Sequence, residues 1–241
     1  MVANADSPTD PSERLPTRDA VERAPRRLLH PGSSTKAAIV VVEGPDGPRL
    51  MKDVSVMHPL VRWIYGRRVL LREERALTAL YGMVGVPKLY GRIDSDALLM
   101  EFITGETLRR QFDKPRLTKA CVALADRVAS LHERGVVHLD LRQKHNVLVD
   151  AEGGVVLIDF QSALVLGHSG WRGLLLRLLA PLDRMAVLKH RARYVPEGLD
   201  ANDRKRARRM HRLGQLWIFH RLGPLLRALF GGSRRRSQRS P

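Results

Sequence analysis

Two periodicities alternate along the chain. Residues 37–42 form a short β-branched run that stops at Glu43-Gly44-Pro45-Asp46-Gly47, a strong turn signal, and residues 49–54 resume it. The pair predicts a hairpin. From about Arg67 to Tyr81 the pattern becomes helical, with Val69, Leu70, Glu73, Leu77 and Leu80 at three- and four-residue steps. Residues 86–90 and 97–102 read as two further strands. Residues 117–134 predict an amphipathic helix with Leu117, Cys121, Leu124, Val128 and Leu131 on one stripe, closed by Gly135. A loop follows from residue 136, then a second hairpin from 147–149 and 155–158 around a Gly-containing turn. Beyond Trp171 the pattern is helical and Arg-rich.

This order describes an α+β chain: a small β-rich half with one helix, a connection at 102–106, and a mostly helical half. Residues 1–30, polar and Pro-containing, read as a flexible leader without the apolar core of a signal peptide. Residues 31–103 then form the first lobe, 104–200 the second, and 201–241 a basic amphipathic extension. The 241 residues suit one compact domain or two small lobes, and 44% apolar residues suffice for a core. A single cysteine, Cys121, excludes an intrachain disulfide and a Cys-based zinc site; its place on the apolar stripe marks it as core. No apolar run approaches the roughly 20 residues that span a bilayer.

Chemistry concentrates in the stretch from His138 to Val149, His-Leu-Asp-Leu-Arg-Gln-Lys-His-Asn-Val-Leu-Val, followed by Leu157-Ile158-Asp159-Phe160. Pairing of the hairpin strands sets Asn146 beside Asp159, an amide oxygen and a carboxylate suited to Mg²⁺ carrying phosphates. Asp140, in the loop before them, is placed to accept a proton from a hydroxyl nucleophile. That division of labour fits phosphoryl transfer.

These residues resemble the catalytic loop and metal-binding turn of the protein-kinase-like superfamily, and the resemblance covers roughly residues 31–200. It implies a two-lobed kinase-like fold with Mg·ATP bound between the lobes. By the resemblance Asp140 is the catalytic aspartate, and Asn146 and Asp159 hold Mg²⁺. Lys52 pairs with nucleotide phosphates, and Glu73, with Glu74 as the alternative, is its helix partner. Met100-Glu101-Phe102-Ile103 is similar to the adenine-facing hinge, which assigns Glu101 and Ile103 to nucleotide binding. Two branches fit better than signalling kinases: the lipopolysaccharide (Kdo-type) kinases and the RIO-type atypical Ser/Thr kinases.

The chain also departs from the family pattern. His145 stands where the metal-binding amide usually lies, one place before Asn146; Asn146 is preferred because it runs in register into the hairpin. Gln161 replaces the glycine after Asp-Phe, and no Ala-Pro-Glu segment follows. Residues 31–36 carry one glycine where signalling kinases have several. His138 reads as a structural histidine bracing the loop. Asp183 is either the buried helix carboxylate that braces the catalytic loop or an N-terminal helix carboxylate favoured by the dipole.

Charge changes the picture last. The formal charge is +17, yet residues 1–170 hold only +3 of it and residues 171–241 hold +14. Arginine beside Trp, Phe and Leu in residues 171–179, 213–222 and 225–230 suits a helix lying on an anionic membrane, the alternative being a lobe core with solvated arginines. The expected partners are ATP, a hydroxyl-bearing acceptor (glycolipid sugar or protein) and an anionic membrane surface through residues 204–236. Few aromatics and no RNA-recognition or zinc-finger pattern argue against specific nucleic-acid binding. The expectation is therefore a cytoplasmic kinase, peripheral on the inner membrane face, leaning to a lipopolysaccharide sugar acceptor. A RIO-like protein Ser/Thr kinase is the alternative, and a pseudokinase or basic scaffold the second.

Overall fold

The computed structural model describes residues 17–44, 47–150 and 152–206. Helix α1 (Arg18–Arg23) leads into β1 (Arg26–His30), followed by the hairpin β2 (Ala38–Gly44) and β3 (Gly47–Asp53). A short α2 (Pro59–Val61) and a π-helical turn (Arg62–Gly66) run into α3 (Arg67–Ala79). Strands β4 (Leu89–Asp94) and β5 (Ala97–Glu101) complete an antiparallel sheet of order β1-β2-β3-β5-β4. The second half adds β6 (Glu106–Thr107), α4 (Lys114–Glu133), β7 (Val136–Val137), β8 (Val147–Val149), β9 (Val155–Leu157), β10 (Leu164–Val165) and α5 (Gly170–Tyr194). Strand β8 pairs with β9 and β6, and β7 pairs with β10.

Alternation along β3 divides the sheet's two faces. Lys52 stands opposite Ile39 on β2 and Leu98 on β5, while Met51 stands opposite Val40 and Leu99. Leu98 and Met100 join the main core with Leu70 and Leu77 of α3. Met51, Val40, Val42 and Leu99 form a separate cluster closed by Val21 of α1.

Val21 corrects the expectation for the leader. Residues 1–16 lie outside the described residues, but 17–30 are a helix and a strand. Thr17 caps α1 by accepting from Ala20 N–H, Val21 is buried, and Arg18 bridges Asp53 and Asp94. The polar composition hid a helix six residues long with a single apolar anchor. The strand expected at 86–90 lies at Leu89–Asp94, and Val136–Val137, expected to open a loop, pair with Val165 and Leu164 instead.

Helix α4 begins where Asp113 accepts from Arg116 N–H and ends at Gly135, whose φ of +71° favours glycine. Added bulk there would meet the Gly167 backbone at 2.5 Å. Cys121 is buried, and burial pushes its thiol up to about 11. Helix α5 buries Leu176, Ala180, Ala186 and Val187, so the core reading holds for that face, yet Trp171, Leu174 and Leu178 are exposed. No helix of the described residues is long and apolar enough to cross a membrane. The expected membrane segments at 213–222 and 225–230 lie outside the described residues, as does the extension from 207 onward; residues 201–206 are helical.

Candidate functional site

Lys52 reaches the cleft from the inner face of β3. Its Nζ donates to Glu73 Oε1 at 2.6 Å and to Asp159 Oδ1 at 2.9 Å. Glu73 is wholly buried because it occupies the apolar stripe of α3 with Val69, Leu70, Ala76 and Leu77. Glu74, one residue round the helix, pairs instead with Arg92 on β4. Of the two glutamates left open by the sequence, Glu73 therefore contacts Lys52. Glu73 Oε1 also accepts from Phe160 N–H, which ties α3 to the turn after Asp159.

One ammonium facing two carboxylates divides its effect unequally. Burial opposes the Lys52 charge, but Glu73 and Asp159 outweigh it and hold the amine above its ordinary value. Burial likewise opposes the Asp159 charge, and Lys52, with His138 and His145, overcomes it and holds this carboxyl below its ordinary value. At the deeper Glu73 burial prevails over Lys52 and the carboxyl moves up.

The second cluster is built by the 138–146 loop and the hairpin behind it. Asn146 is buried at the start of β8, where its carbonyl accepts from Ile158 N–H at 3.0 Å. Its Nδ2 donates to Asp140 Oδ2 at 2.9 Å and to the Asp140 carbonyl at 3.0 Å. Its Oδ1 is buried with no hydrogen-bond partner among the described residues. His145, the other candidate for the amide's place, is exposed. Gln143 Nε2 donates to both Asp140 carboxylate oxygens at 2.8 Å. Gln143 was not foreseen; its one signal is a polar residue three places after the aspartate in a turn.

The loop is braced from beneath by Asp183. This carboxylate sits in the middle of α5, 1% exposed, and accepts from His138 N–H and Leu139 N–H at 2.8 Å each. His132 Nε2 approaches it at 3.2 Å. The bracing alternative is thus the observed one; the dipole alternative fails because Asp183 lies far from the helix start. His138 is a structural residue, with Nε2 donating to Ile158 carbonyl and Nδ1 facing Asp140 N–H, and burial lowers its pKa. His190 Nε2 donates to the Leu141 carbonyl in the same way. Leu139 and Asp159 both adopt φ of +66°, an uncommon backbone for residues other than glycine.

Lys52, Glu73 and Asp159 thus form one cluster and Asp140 and Asn146 a second, linked by the backbone bond from Ile158 N–H to the Asn146 carbonyl. Glu101 ends β5, its carboxylate accepting from Lys88 N–H, and Ile103 follows in the connection between the halves. A cavity of about 850 Å³ is lined by Asp140, Gln143, Asp159, residues 35–37 and residues between 54 and 70; Glu101 and Ile103 are not part of its lining.

Residues 63–185 match the RIO domain model, a span that holds Glu73, Asp140, Asn146, Asp159 and Asp183 and begins after Lys52. The serine/threonine-protein kinase PkaB of Streptomyces coelicolor is 32% identical over 133 residues, 51% of this chain and 30% of that protein. The MAP kinase kinase kinase SSK2 of Saccharomyces cerevisiae is 27% identical over 112 residues, 43% of this chain and 7% of that protein. The chain therefore spans less than a third of these curated relatives. Among solved structures, the Rio2 kinase–ADP/Mg²⁺–phosphoaspartate complex from Chaetomium thermophilum superposes with a TM-score of 0.51 at 17% identity, covering 76% of this chain and 60% of that one. That likeness shows the α+β, two-part kinase-like fold. Because the RIO domain match spans more than half of its residues, the chain belongs to the RIO-type branch of the protein-kinase-like superfamily.

Proposed function

We propose that this chain transfers the γ-phosphoryl group of Mg·ATP to a hydroxyl, and that the acceptor is a protein Ser or Thr. The observation that carries the reading is the pairing of Lys52 with both Glu73 and Asp159 beside an Asp140–Asn146 contact. Sequence-remote residues converge there on the charges a phosphoryl transfer needs. RIO membership and the resemblance to PkaB support a protein hydroxyl over the lipopolysaccharide sugar toward which the sequence leaned.

The residues fit a magnesium ion. Asn146 Oδ1 is a buried oxygen without a partner among the described residues, a costly state that a hard cation would relieve. Asp159 is a carboxylate held ionised by Lys52. Asn146 and Asp159 would hold the ion, which when bound neutralises phosphate charge. Lys52, fixed by Glu73, would then orient the nucleotide phosphates. Asp140 would align the acceptor hydroxyl and take its proton, with Asn146 Nδ2 holding the carboxylate in place. Glu101 and Ile103 would meet the adenine.

The test is transfer of label from [γ-³²P]ATP to protein extract or to membrane glycolipid, alongside a thermal-shift titration with Mg·ATP. Asp140→Asn should lose transfer and keep the nucleotide-induced shift, because it removes the base and leaves the binding groups. Asp159→Ala should lose the Mg-dependent shift. Full transfer by Asp140→Asn, or no shift in the wild type at saturating nucleotide, overturns the reading. Label confined to glycolipid overturns the protein acceptor.

A further inference from the structure

Gln143 marks where an acceptor would enter. Its Nε2 donates to both oxygens of Asp140, the position that a substrate O–H must take to be deprotonated, and Gln143 itself is exposed. Both residues line the 850 Å³ cavity, so an incoming hydroxyl has room to displace the amide from that side.

The far wall of this cavity is apolar. It is built by the segment between β3 and α3, where Leu60, Ile64 and Tyr65 line the space. These side chains are 46%, 44% and 51% exposed, so unlike the buried Met57 and Val61 behind them they have apolar surface left to cover. Tyr65 lines the same cavity as Asp140 and Asp159. The rest of the lining is more polar: Lys36 and His145 line the cavity and are exposed, and Arg142 and Lys144, exposed too, neighbour Gln143 and His145 in the loop. An acceptor reaching Asp140 through this cavity therefore meets both exposed hydrocarbon and the basic side chains of Lys36 and the 142–144 stretch beside it.

Resting on the proposed kinase activity, we infer that the segment Leu60–Ile64–Tyr65 is an acceptor subsite that selects a Ser or Thr flanked by a bulky apolar residue and by carboxylates. The apolar flank covers the exposed wall, and the carboxylates complement the basic side chains. A single methylene more or less in a hydrophobic pocket discriminates by about 10–200-fold, enough for an apolar flank to define a consensus.

Three synthetic peptides test it: one Ser flanked by Phe and Asp, a second with Phe replaced by Ser, and a third with Asp replaced by Lys. Wild-type protein with Mg·[γ-³²P]ATP should show kcat/KM about tenfold or more lower for the second and third. Ile64→Ser/Tyr65→Ser should abolish the preference for Phe while keeping the Mg·ATP thermal shift and the preference for Asp. Tyr65→Phe, which keeps the hydrocarbon, should retain the preference. Equal kcat/KM for all three peptides, or an unchanged Phe preference in the double variant, overturns the subsite while leaving the kinase reading intact if the nucleotide shift persists. Absence of both the nucleotide shift and peptide labelling overturns the kinase reading and the subsite with it. Labelling of anionic phospholipid vesicles in place of every peptide assigns the cavity to a lipid hydroxyl and overturns the peptide acceptor.

Discussion

Replacing Asp183 by Ala removes a buried carboxylate that serves three donors at once. Two are the backbone N–H groups of His138 and Leu139, each at 2.8 Å, and the third is His132 Nε2 at 3.2 Å. His138 is fully buried and Leu139 partly so, and a buried donor left unsatisfied costs about 1–3 kcal/mol. The two together therefore set a loss of about 2–6 kcal/mol for Asp183→Ala. Asp183→Asn is a sharper probe, because the amide keeps one accepting oxygen. With that oxygen placed toward His138 N–H, its NH₂ group faces only Leu139 N–H, and the loss shrinks to about 1–3 kcal/mol. Urea unfolding followed by circular dichroism measures both. Since domains hold about 5–15 kcal/mol in total, both variants should remain folded enough to measure. A helix-dipole role would instead give about 0.3–1 kcal/mol, alike for Ala and Asn. Losses below about 1 kcal/mol, or equal losses for the two variants, would refute the bracing argument.

The two glutamates of α3 make a second contrast. Glu73→Gln should cost about 1–3 kcal/mol and weaken the Mg·ATP thermal shift, whereas Glu74→Gln, in a partly exposed pair with Arg92, should stay within about 1 kcal/mol. Reversal of that order in urea unfolding would return the lysine partnership to Glu74. The buried histidines predict a pH dependence. His138 and His190 both have pKa values lowered by burial, so the native state binds fewer protons than the unfolded chain. Stability is then complete above the unfolded value of about 6.5 and falls as pH drops below it, by at most about 1.4 kcal/mol per pH unit for each histidine. His190→Gln, which can still donate to the Leu141 carbonyl, should reduce that slope; a flat stability between pH about 7.5 and 5.5 would contradict the assignment.

The placement of Asn146 and Asp159 side by side was legible because short-range geometry sets it. The hairpin of β8 and β9 puts Asn146 next to Ile158, and hence near Asp159, whatever surrounds it. Glu73 was legible in principle more firmly than it was read: Val69, Leu70, Ala76 and Leu77 define a stripe that contains it and leaves Glu74 to one side. The illegible parts depend on partners remote in sequence. Helix α1 is held by Arg18 reaching Asp53 and Asp94, and a six-residue polar segment carries no periodicity that announces this. The strands β7 and β10 contain two residues each and exist because they meet each other. Gln143 looked like one more polar loop residue until the turn brought its amide onto Asp140.

Leu139 and Asp159, the two non-glycine residues at positive φ among the described residues, show why the loop's backbone was the hardest part to foresee. Such conformations cost of order 1–3 kcal/mol and persist where surrounding bonds over-determine them. At Leu139 the compensation is its N–H on Asp183 and a side chain packed against Val137, Leu166 and Leu176. At Asp159 it is the Lys52 ammonium on the carboxylate, reinforced by Phe160 N–H on Glu73. Glycine would fit either backbone without strain, but it would supply neither the partly buried leucine side chain nor the carboxylate. The strain therefore falls on the residues on either side of the Asp140–Asn146 contact, and each is restrained by a buried carboxylate from a distant helix, α5 in one case and α3 in the other. That arrangement fixes Asp140 and Asp159 relative to the two halves of the molecule, which is what a phosphoryl-transfer site, whose catalysis is mostly positioning, requires.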